Sequence, residues 1–294
     1  MSLQETFATL KQAAWDWMDD QAPTLGGALA YYTVFSLAPL LILTVAIAGM
    51  IFGQEAAQGQ IFTQLRSLIG AESAAAMQDI VQDANAKPTT GVWATILGFV
   101  TLFLGASGVF GQLQYSLNTI WGVAPKPGRG LVGIIKDRVL SFGFVLALGF
   151  LLLVSLVLTA VIAFVGKWLG GMVPGVETII QIVNMLLSLG VITLLFAMMF
   201  KFMPDAKIAW RDVWVGALVT AALFTAGKEL LGLYLGKGGV ASSYGAAGSL
   251  IVLLVWVYYS SQIVFFGAEI TKVYANRYGS RIVPADNAVA IKDA

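Results

Sequence analysis

The most constraining feature of the chain is the uncharged stretch from Ala246 to Gly267. About twenty residues of this kind are enough to cross a hydrocarbon core of about 30 Å as one helix. Because that core offers no water to unpaired backbone groups, a stretch that crosses it folds as a helix. The stretch also contains Tyr258, Tyr259 and Gln262, polar side chains that a simple membrane anchor does not need. We therefore predict a transmembrane helix whose polar face is turned toward protein or water.

The rest of the chain has the same character, which determines the predicted fold class. Hydrophobic residues make up 58% of the chain and charged residues 11%, whereas a soluble domain carries about 25% charged residues. Transmembrane strands alternate apolar and polar residues over about ten positions, but the apolar runs here are continuous over about twenty. We predict an all-α polytopic membrane protein, a bundle of six transmembrane helices with short amphipathic interfacial helices. The predicted spans are about 28–52, 92–121, 139–165, 178–202, 213–235 and 246–268.

The segments outside the bundle are assigned from their residue patterns. Residues 1–27 are predicted to form a juxtamembrane amphipathic helix, in which Trp15 and Trp17 suit a membrane interface. A docking site for a partner protein is the alternative role. The first residues lack the basic and apolar regions of a cleavable signal peptide, so we expect the N-terminus to be retained. Residues 28–274 are assigned to the transmembrane domain and residues 275–294 to a cytoplasmic tail.

The lysines and arginines predict the orientation of the bundle. Six spans place both termini on the same side, and that side carries twelve of the 17 basic residues. The opposite side carries four, and Lys228 lies inside the fifth span. Because basic residues concentrate in cytoplasmic segments, both termini are predicted to be cytoplasmic.

Polar residues inside the predicted spans mark a candidate substrate pathway, since lipid penalises such groups and they turn inward. Pro39 lacks a backbone N–H and disfavours a helical conformation just before it, which predicts a kink near Ser36. The kink is either a broken helix lining a cavity, as in transporters, or a packing feature. For the amide side chains, interhelical hydrogen bonding is the alternative role. The candidate pathway residues are Tyr31, Tyr32, Ser36, Pro39, Gln112, Gln114, Asn118, Asn184, Lys228, Glu229, Ser243, Tyr244, Tyr258 and Gln262.

Lys228 and Glu229 are the charged candidates of that pathway. They lie in the outer half of the fifth span and point about 100° apart on one helix, so we expect each of them to need its own partner. Asn184 and Ser188 in the outer half of the fourth span are candidate partners. Snorkelling of both side chains to the membrane interface is the alternative.

Glu269 and Lys272 are expected to form a structural charge pair. They lie three residues apart near the cytoplasmic edge of the sixth span, where Glu269 either pairs with Lys272 or snorkels to the headgroups. Lys228 lies in the outer half of the membrane. A salt bridge between Lys228 and Glu269 is therefore not expected.

The residue types that the chain lacks argue against catalysis. It contains neither histidine nor cysteine, and histidine is both the commonest metal ligand and the usual base near neutral pH. The phosphate-binding motif GxxxxGK[ST] is also missing, so ATP hydrolysis by that route is not expected. A net charge of +1 gives no field for gathering nucleic acid. We expect no enzyme activity, no catalytic residues, no metal, no cofactor and no nucleic-acid partner.

Three segments combine apolar runs with polar residues in a specific order. They are GGALAYYTVFSLAPLL from Gly26, GASGVFGQLQYSLNTIWGV from Gly105 and YGAAGSLIVLLVWVYYSSQIVFFGAEI from Tyr244. With them, nearly the whole chain resembles the YihY/BrkB family (UPF0761) of bacterial inner-membrane proteins, formerly misassigned as ribonuclease BN. The resemblance implies six helices, the bacterial cytoplasmic (inner) membrane and a role in envelope integrity, and some relatives are linked to serum resistance or to export of lipid A precursors. It implies no catalytic residues.

Three functions are consistent with these features. The leading hypothesis is transport of a lipid or another amphipathic envelope component, because polar helix faces and interfacial helices suit a gated lateral opening. Export of small polar solutes is the first alternative, and a non-transporting envelope-integrity scaffold is the second. The expected partners are membrane lipids, with a homo-oligomer as a further possibility.

Overall fold

The computed structural model describes residues 3–69, 71, 74–79, 108–127, 176–237 and 248–291, together with separate helical positions between 151 and 166. The described backbone is mostly helical. Most of the third predicted span and the first part of the second span lie outside these residues. Ser243 and Tyr244, two of the candidate pathway residues, also lie outside them.

Local sequence explains where the first helices begin and end. Helix α1 (Leu3–Asp19) ends at a turn in which Gln21 takes a left-handed conformation with φ of 53°. Pro23 then occupies the first turn of α2 (Ala22–Phe52), where its missing N–H costs no intrahelical hydrogen bond. Helix α3 (Gln54–Ile69) follows after a single glycine. Thus α1 lies within the segment predicted as an amphipathic helix, and α2 begins several residues earlier than the predicted first span.

Of the two alternatives for Pro39, the broken helix is wrong, because α2 continues through this residue as one helix to Phe52, and the packing feature remains. Two hydroxyl groups supply local hydrogen bonds in the turns before the proline. Thr33 Oγ1 donates to the carbonyl oxygen of Leu29 at 2.7 Å, and Ser36 Oγ donates to that of Thr33 at 3.1 Å. Membrane helices tolerate proline when neighbouring groups of this kind take up the local hydrogen-bonding capacity.

Within the described residues, three helices are long and apolar enough to cross a membrane. They are α4 (Val176–Phe202), α5 (Trp210–Lys237) and α6 (Gly248–Tyr278). These helices cover the stretches predicted as the fourth, fifth and sixth spans. Helix α6 continues well past residue 268, the predicted end of the sixth span, because Ile270 and Val273 pack against Ala13 of α1.

The core forms where a helical segment at 108–120 meets α4, α5 and α6. Helix α5 contacts α4 and α6, and α6 also contacts α1 and α2. The largest buried side chains at the centre are Leu117, Ile120, Phe200 and Phe265. The ring of Trp121 meets that of Phe200 edge to face, with centroids 6.0 Å apart. This core holds the end of the 108–120 segment against the C-terminal half of α6.

A reciprocal pair of contacts brings α5 and α6 close together. Thr271 of α6 lies against Gly216 of α5, and Thr220 of α5 lies against Gly267 of α6. Each threonine hydroxyl donates to the carbonyl oxygen four residues earlier in its own helix, at 2.7 Å for Thr220 and 2.8 Å for Thr271. The glycines leave space for these side chains, which is how small residues let membrane helices approach.

Residues beyond α6 fold back onto two loops, although this region was predicted only as a tail. Strand β1 (Val123–Pro125) pairs antiparallel with β4 (Ala288–Ala290), and Val123 lies opposite Ala290. Strand β2 (Ala206–Lys207) pairs antiparallel with β3 (Val283–Pro284). The all-α prediction therefore misses two short sheets, because strands this short carry no alternating pattern that sequence periodicity could detect.

Candidate functional site

A polar cleft lies between the start of α2 and the 108–120 segment. Its volume is about 420 Å³. The lining residues are Asp19, Asp20, Gln21, Thr24, Leu25, Ala28, Gln112, Tyr115 and Thr119. The turn between α1 and α2 supplies the two carboxylates, and the next turns of α2 supply the apolar Leu25 and Ala28. The cleft therefore combines a polar, acidic part with an apolar part along one helix.

Asp20 links this cleft to a charge cluster between α1 and α6. Lys272 Nζ donates to Asp20 Oδ2 at 2.8 Å and lies 3.0 Å from Glu269 Oε2. It also lies 3.7 Å from Asp16 Oδ2. The predicted pairing of Glu269 with Lys272 is confirmed as a contact, and the cluster extends it to the two aspartates. One ammonium group is therefore within ion-pair distance of three carboxylates.

Glu269 is fully buried, so the alternative that it snorkels to the headgroups is wrong. Neither of its carboxylate oxygens has a hydrogen-bond partner, and Lys272 meets Oε2 at ion-pair distance without hydrogen-bond geometry. The neighbouring carbonyl oxygen of Ala268 accepts a hydrogen bond from Trp121 Nε1 at 3.2 Å. Ala268 belongs to the core that also contains Trp121 and Phe265.

We expect Lys272→Met to lower the free energy of unfolding by about 3 kcal/mol, because it leaves the buried Glu269 and two partly exposed aspartates without their cation. The side chain of Lys272 is only 21% exposed. Lys207 is the matched control, since its 59% exposed side chain pairs with the exposed Asp286. Denaturation of both variants in the same detergent measures the difference. Equal losses for Lys272→Met and Lys207→Met would contradict this role of the cluster.

Three of the candidate pathway tyrosines have exposed side chains in the described part of the chain. The side chains of Tyr31, Tyr32 and Tyr258 are exposed, and the rings of Tyr31 and Tyr32 meet edge to face. Ser36 is buried and bonded within its own helix. The amide of Gln262 lies against Gly26 of α2, and neither its oxygen nor its nitrogen has a hydrogen-bond partner. Gln262 is therefore the candidate on α6 whose amide is enclosed and unpaired.

The amide candidates on the 108–120 segment separate into two groups. Gln112 lines the polar cleft. Gln114 and Asn118 turn instead to Asp205, whose Oδ2 accepts from Asn118 Nδ2 at 2.9 Å and from Gln114 Nε2 at 3.4 Å. Asn118 Oδ1 also accepts from the Asp205 backbone N–H at 2.8 Å. Asn118 thus bonds to the loop after α4, a structural role related to, but not the same as, the interhelical bonding that was the alternative prediction.

Lys228 and Glu229 contact each other, and the prediction that each also has its own partner stays a prediction. Lys228 Nζ lies 3.7 Å from Glu229 Oε1. The long side chains bend toward each other although their Cα–Cβ bonds diverge, and Glu229 is 74% exposed while Lys228 is 18% exposed. Asn184 Oδ1 is buried without a hydrogen-bond partner, and Ser188 is exposed. Neither of these two α4 residues meets the pair through a described hydrogen bond.

Sequence reasoning missed the acidic residues that organise this end of the bundle. Asp16 and Asp20 lie four residues apart, on the face of α1 and its following turn that meets Lys272. The spacing of these two aspartates, close to the buried Ala13, was the signal that could have identified them as partners of another helix. Asp205 lies in a loop between α4 and β2, and no periodic pattern distinguishes it.

Comparison with known proteins gives the family. A family model described as Virulence factor BrkB matches residues 14–292, which include the end of α1, the charge cluster and the strands after α6. The chain belongs to the BrkB family. This confirms the resemblance to YihY/BrkB proteins and the assignment as a membrane protein.

Individual BrkB relatives are similar over most of this chain. A UPF0761 membrane protein of Methylibium petroleiphilum is 29% identical over 96% of the chain and 65% of the relative. One of Cronobacter sakazakii is 30% identical over 86% of the chain and 83% of the relative. One of Pseudomonas aeruginosa is 28% identical, and the chain covers only 58% of its length. No solved structure matches this BrkB-family chain.

Proposed function

We propose that this protein is a transporter that moves a lipid or another amphipathic envelope component across the bacterial inner membrane. In the proposed arrangement, six spans place both termini in the cytoplasm. Support comes from the three span-length helices, from the family and from the twelve basic residues predicted on the cytoplasmic side. Membrane lipids are the proposed partners, with a second copy of the chain as a further one, and no catalytic, metal or cofactor site is proposed.

The polar cleft is the observation that carries this proposal. It begins with Asp19 and Asp20 at the end of α1 and continues along α2 past Thr24 to Leu25 and Ala28. A headgroup would find hydrogen-bond donors and acceptors in the first part, and the adjoining acyl chain would find apolar side chains in the second. A small polar solute would gain nothing from the apolar part, so the arrangement favours an amphipathic substrate.

A reconstituted-vesicle assay of lipid movement tests the proposal. Thr24→Trp fills the cleft, and we expect it to reduce the transport rate about tenfold, which corresponds to about 1.4 kcal/mol in barrier height. Thr178→Trp is the matched control, because Thr178 lies exposed at the start of α4 and away from the cleft. Transport that is equally fast in both variants would remove the cleft from the pathway. Movement of no envelope lipid by the unaltered protein would overturn the proposal.

A non-transporting scaffold is the second candidate, because one observation favours it. Gln114 and Asn118, both predicted to line a pathway, are instead held by Asp205 in a structural network. A scaffold would keep its cellular role when the membrane-depth charges are removed. Normal envelope integrity in cells carrying Lys228→Met and Glu229→Gln, together with the absence of transport in vesicles, would favour the scaffold.

A further inference from the structure

The charge cluster between α1 and α6 has more acid groups than its cation balances. Asp16 and Asp20 come from α1 and its following turn, and Glu269 and Lys272 come from α6. If all three carboxylates were ionised, one ammonium group would leave the cluster with a net charge of −2. Like charges crowded into one site disfavour full ionisation, so such a group of carboxylates tends to retain a proton.

The position of Glu269 indicates which carboxylate that proton occupies. Glu269 is the fully buried member of the cluster, whereas Asp16 and Asp20 are partly exposed. Its oxygens accept no hydrogen bond. Lys272 Nζ lies 3.0 Å from Glu269 Oε2 and 2.8 Å from Asp20 Oδ2, so the two carboxylates meet at one ammonium group. Two carboxylates can hydrogen-bond to each other only when one of them carries a proton. A protonated Glu269 would therefore become a donor to Asp20 and satisfy an otherwise unpaired buried group.

We propose that Glu269 is a proton-binding site that exchanges with the cytoplasmic side through Asp20 and the polar cleft. Asp20 both contacts Lys272 and lines the cleft, so it connects the buried glutamate to water. In the release step, the O–H bond of Glu269 breaks and its proton passes to the Asp20 carboxylate. Glu269 is left as a carboxylate beside the Lys272 ammonium, and Asp20 then gives the proton to water in the cleft.

The other described elements packed on α6 bring no further charged side chain to the cluster. Arg211 and Asp212 of α5 turn to the far end of α6, where Arg211 Nη2 lies 3.5 Å from the Tyr278 carbonyl oxygen. Asp212 Oδ2 accepts from Ser280 N–H at 2.9 Å. Helix α2 meets this part of α6 with uncharged residues such as Leu25. Among the described residues, Lys272 is the charged group in direct contact with Glu269, and Asp16 and Asp20 meet the same ammonium group.

The proton bound at this site would be the coupling ion for the proposed transport. This role of the site therefore rests on the proposed function. Its test does not require transport. Infrared difference spectra of the purified full chain in lipid nanodiscs, recorded as a function of pH, report the carbonyl band of a protonated carboxyl group. We expect a pH-dependent band in the unaltered protein, its loss in Glu269→Gln and its retention in Asp286→Asn, in which an exposed carboxylate is removed.

Two further variants keep the test decisive if Glu269→Gln fails to fold. Glu269→Asp retains a carboxyl group and is expected to retain a band, and Asp20→Asn is expected to displace the pH at which the band appears. Absence of the band from the unaltered protein at every pH would overturn the proposal, as would its persistence in a folded Glu269→Gln variant. Failure of lipid transport with the band intact would instead overturn the proposed function alone.

Discussion

Gly216→Ala should lower the free energy of unfolding by about 1–3 kcal/mol, although it changes a single hydrogen into a methyl group. The new Cβ would collide with Thr271 Oγ1 and lie 2.9 Å from Thr271 Cβ. The Gly267 carbonyl oxygen lies 3.1 Å from the new Cβ, so the methyl group cannot move away in that direction. Helices α5 and α6 would have to separate, so their whole interface would be weakened. Thermal unfolding in detergent, followed by circular dichroism, measures the loss.

Gly232→Ala in the same helix is the control for the α5–α6 contact, because a Cβ at Gly232 meets nothing within 4 Å. Its stability should be unchanged or slightly higher, since alanine favours helix more than glycine does. Adding Thr271→Ala to Gly216→Ala should restore part of the loss by removing the hydroxyl group. If Gly216→Ala and Gly232→Ala unfold at the same temperature, the close approach of these helices is not as described.

Asp205→Ala should lower the free energy of unfolding by about 3–5 kcal/mol, the largest effect expected of a single substitution here. Asp205 is buried and accepts hydrogen bonds from Asn118 at 2.9 Å and from Asn287 at 2.7 Å. Its carbonyl oxygen also accepts from the Ala285 N–H at 2.9 Å. Without the carboxylate, the amide groups of Asn118 and Asn287 would lose their partner. Unfolding in detergent and protease sensitivity after α6 measure the two consequences.

Asp286→Ala is the matched control for Asp205, because it removes a neighbouring acid from the same folded region. A hydrogen bond from Lys207 lowers the pKa of the Asp286 carboxyl, so this group stays ionised at neutral pH. Its side chain is exposed, however, and water replaces the pair when it is removed. We expect no measurable change in stability. A loss as large as that of Asp205→Ala would show that the network depends on general charge rather than on its hydrogen bonds.

The positions of the helices could be predicted because they depend on the length and hydrophobicity of uninterrupted stretches of the chain. The apolar runs near 178–202, 213–235 and 246–268 each satisfy a length requirement, and α4, α5 and α6 cover them. Of the two interpretations of Pro39, only the broken helix is wrong, because α2 is continuous and the hydroxyl groups of Thr33 and Ser36 bond within it. The contact between Lys228 and Glu229 could not be predicted from their diverging Cα–Cβ directions, because long side chains can reach around the helix.

The candidate site was predictable only where its partners are close in sequence. Glu269 and Lys272 lie three residues apart, so helical spacing alone predicted their contact. Lys272 and Asp20 are separated by 252 residues, and only the packing of α1 on α6 brings them together. The same limit applies to Asp205, whose partner Asn118 lies 87 residues earlier. Polar side chains carry no signal that identifies a distant partner, so the pathway prediction could not separate Gln112 from Asn118.

The Asp205 network has a consequence for the order in which the protein assembles during synthesis. Asn118 is made 87 residues before Asp205, and Asn287 is made 82 residues after it. At a synthesis rate of about 5–20 residues per second, each interval lasts about 4–17 s. During the second interval, α5 and α6 are synthesised while the Asp205 carboxylate still lacks Asn287. The final hydrogen bond therefore forms only after α6 has been made, and its formation marks a completed bundle.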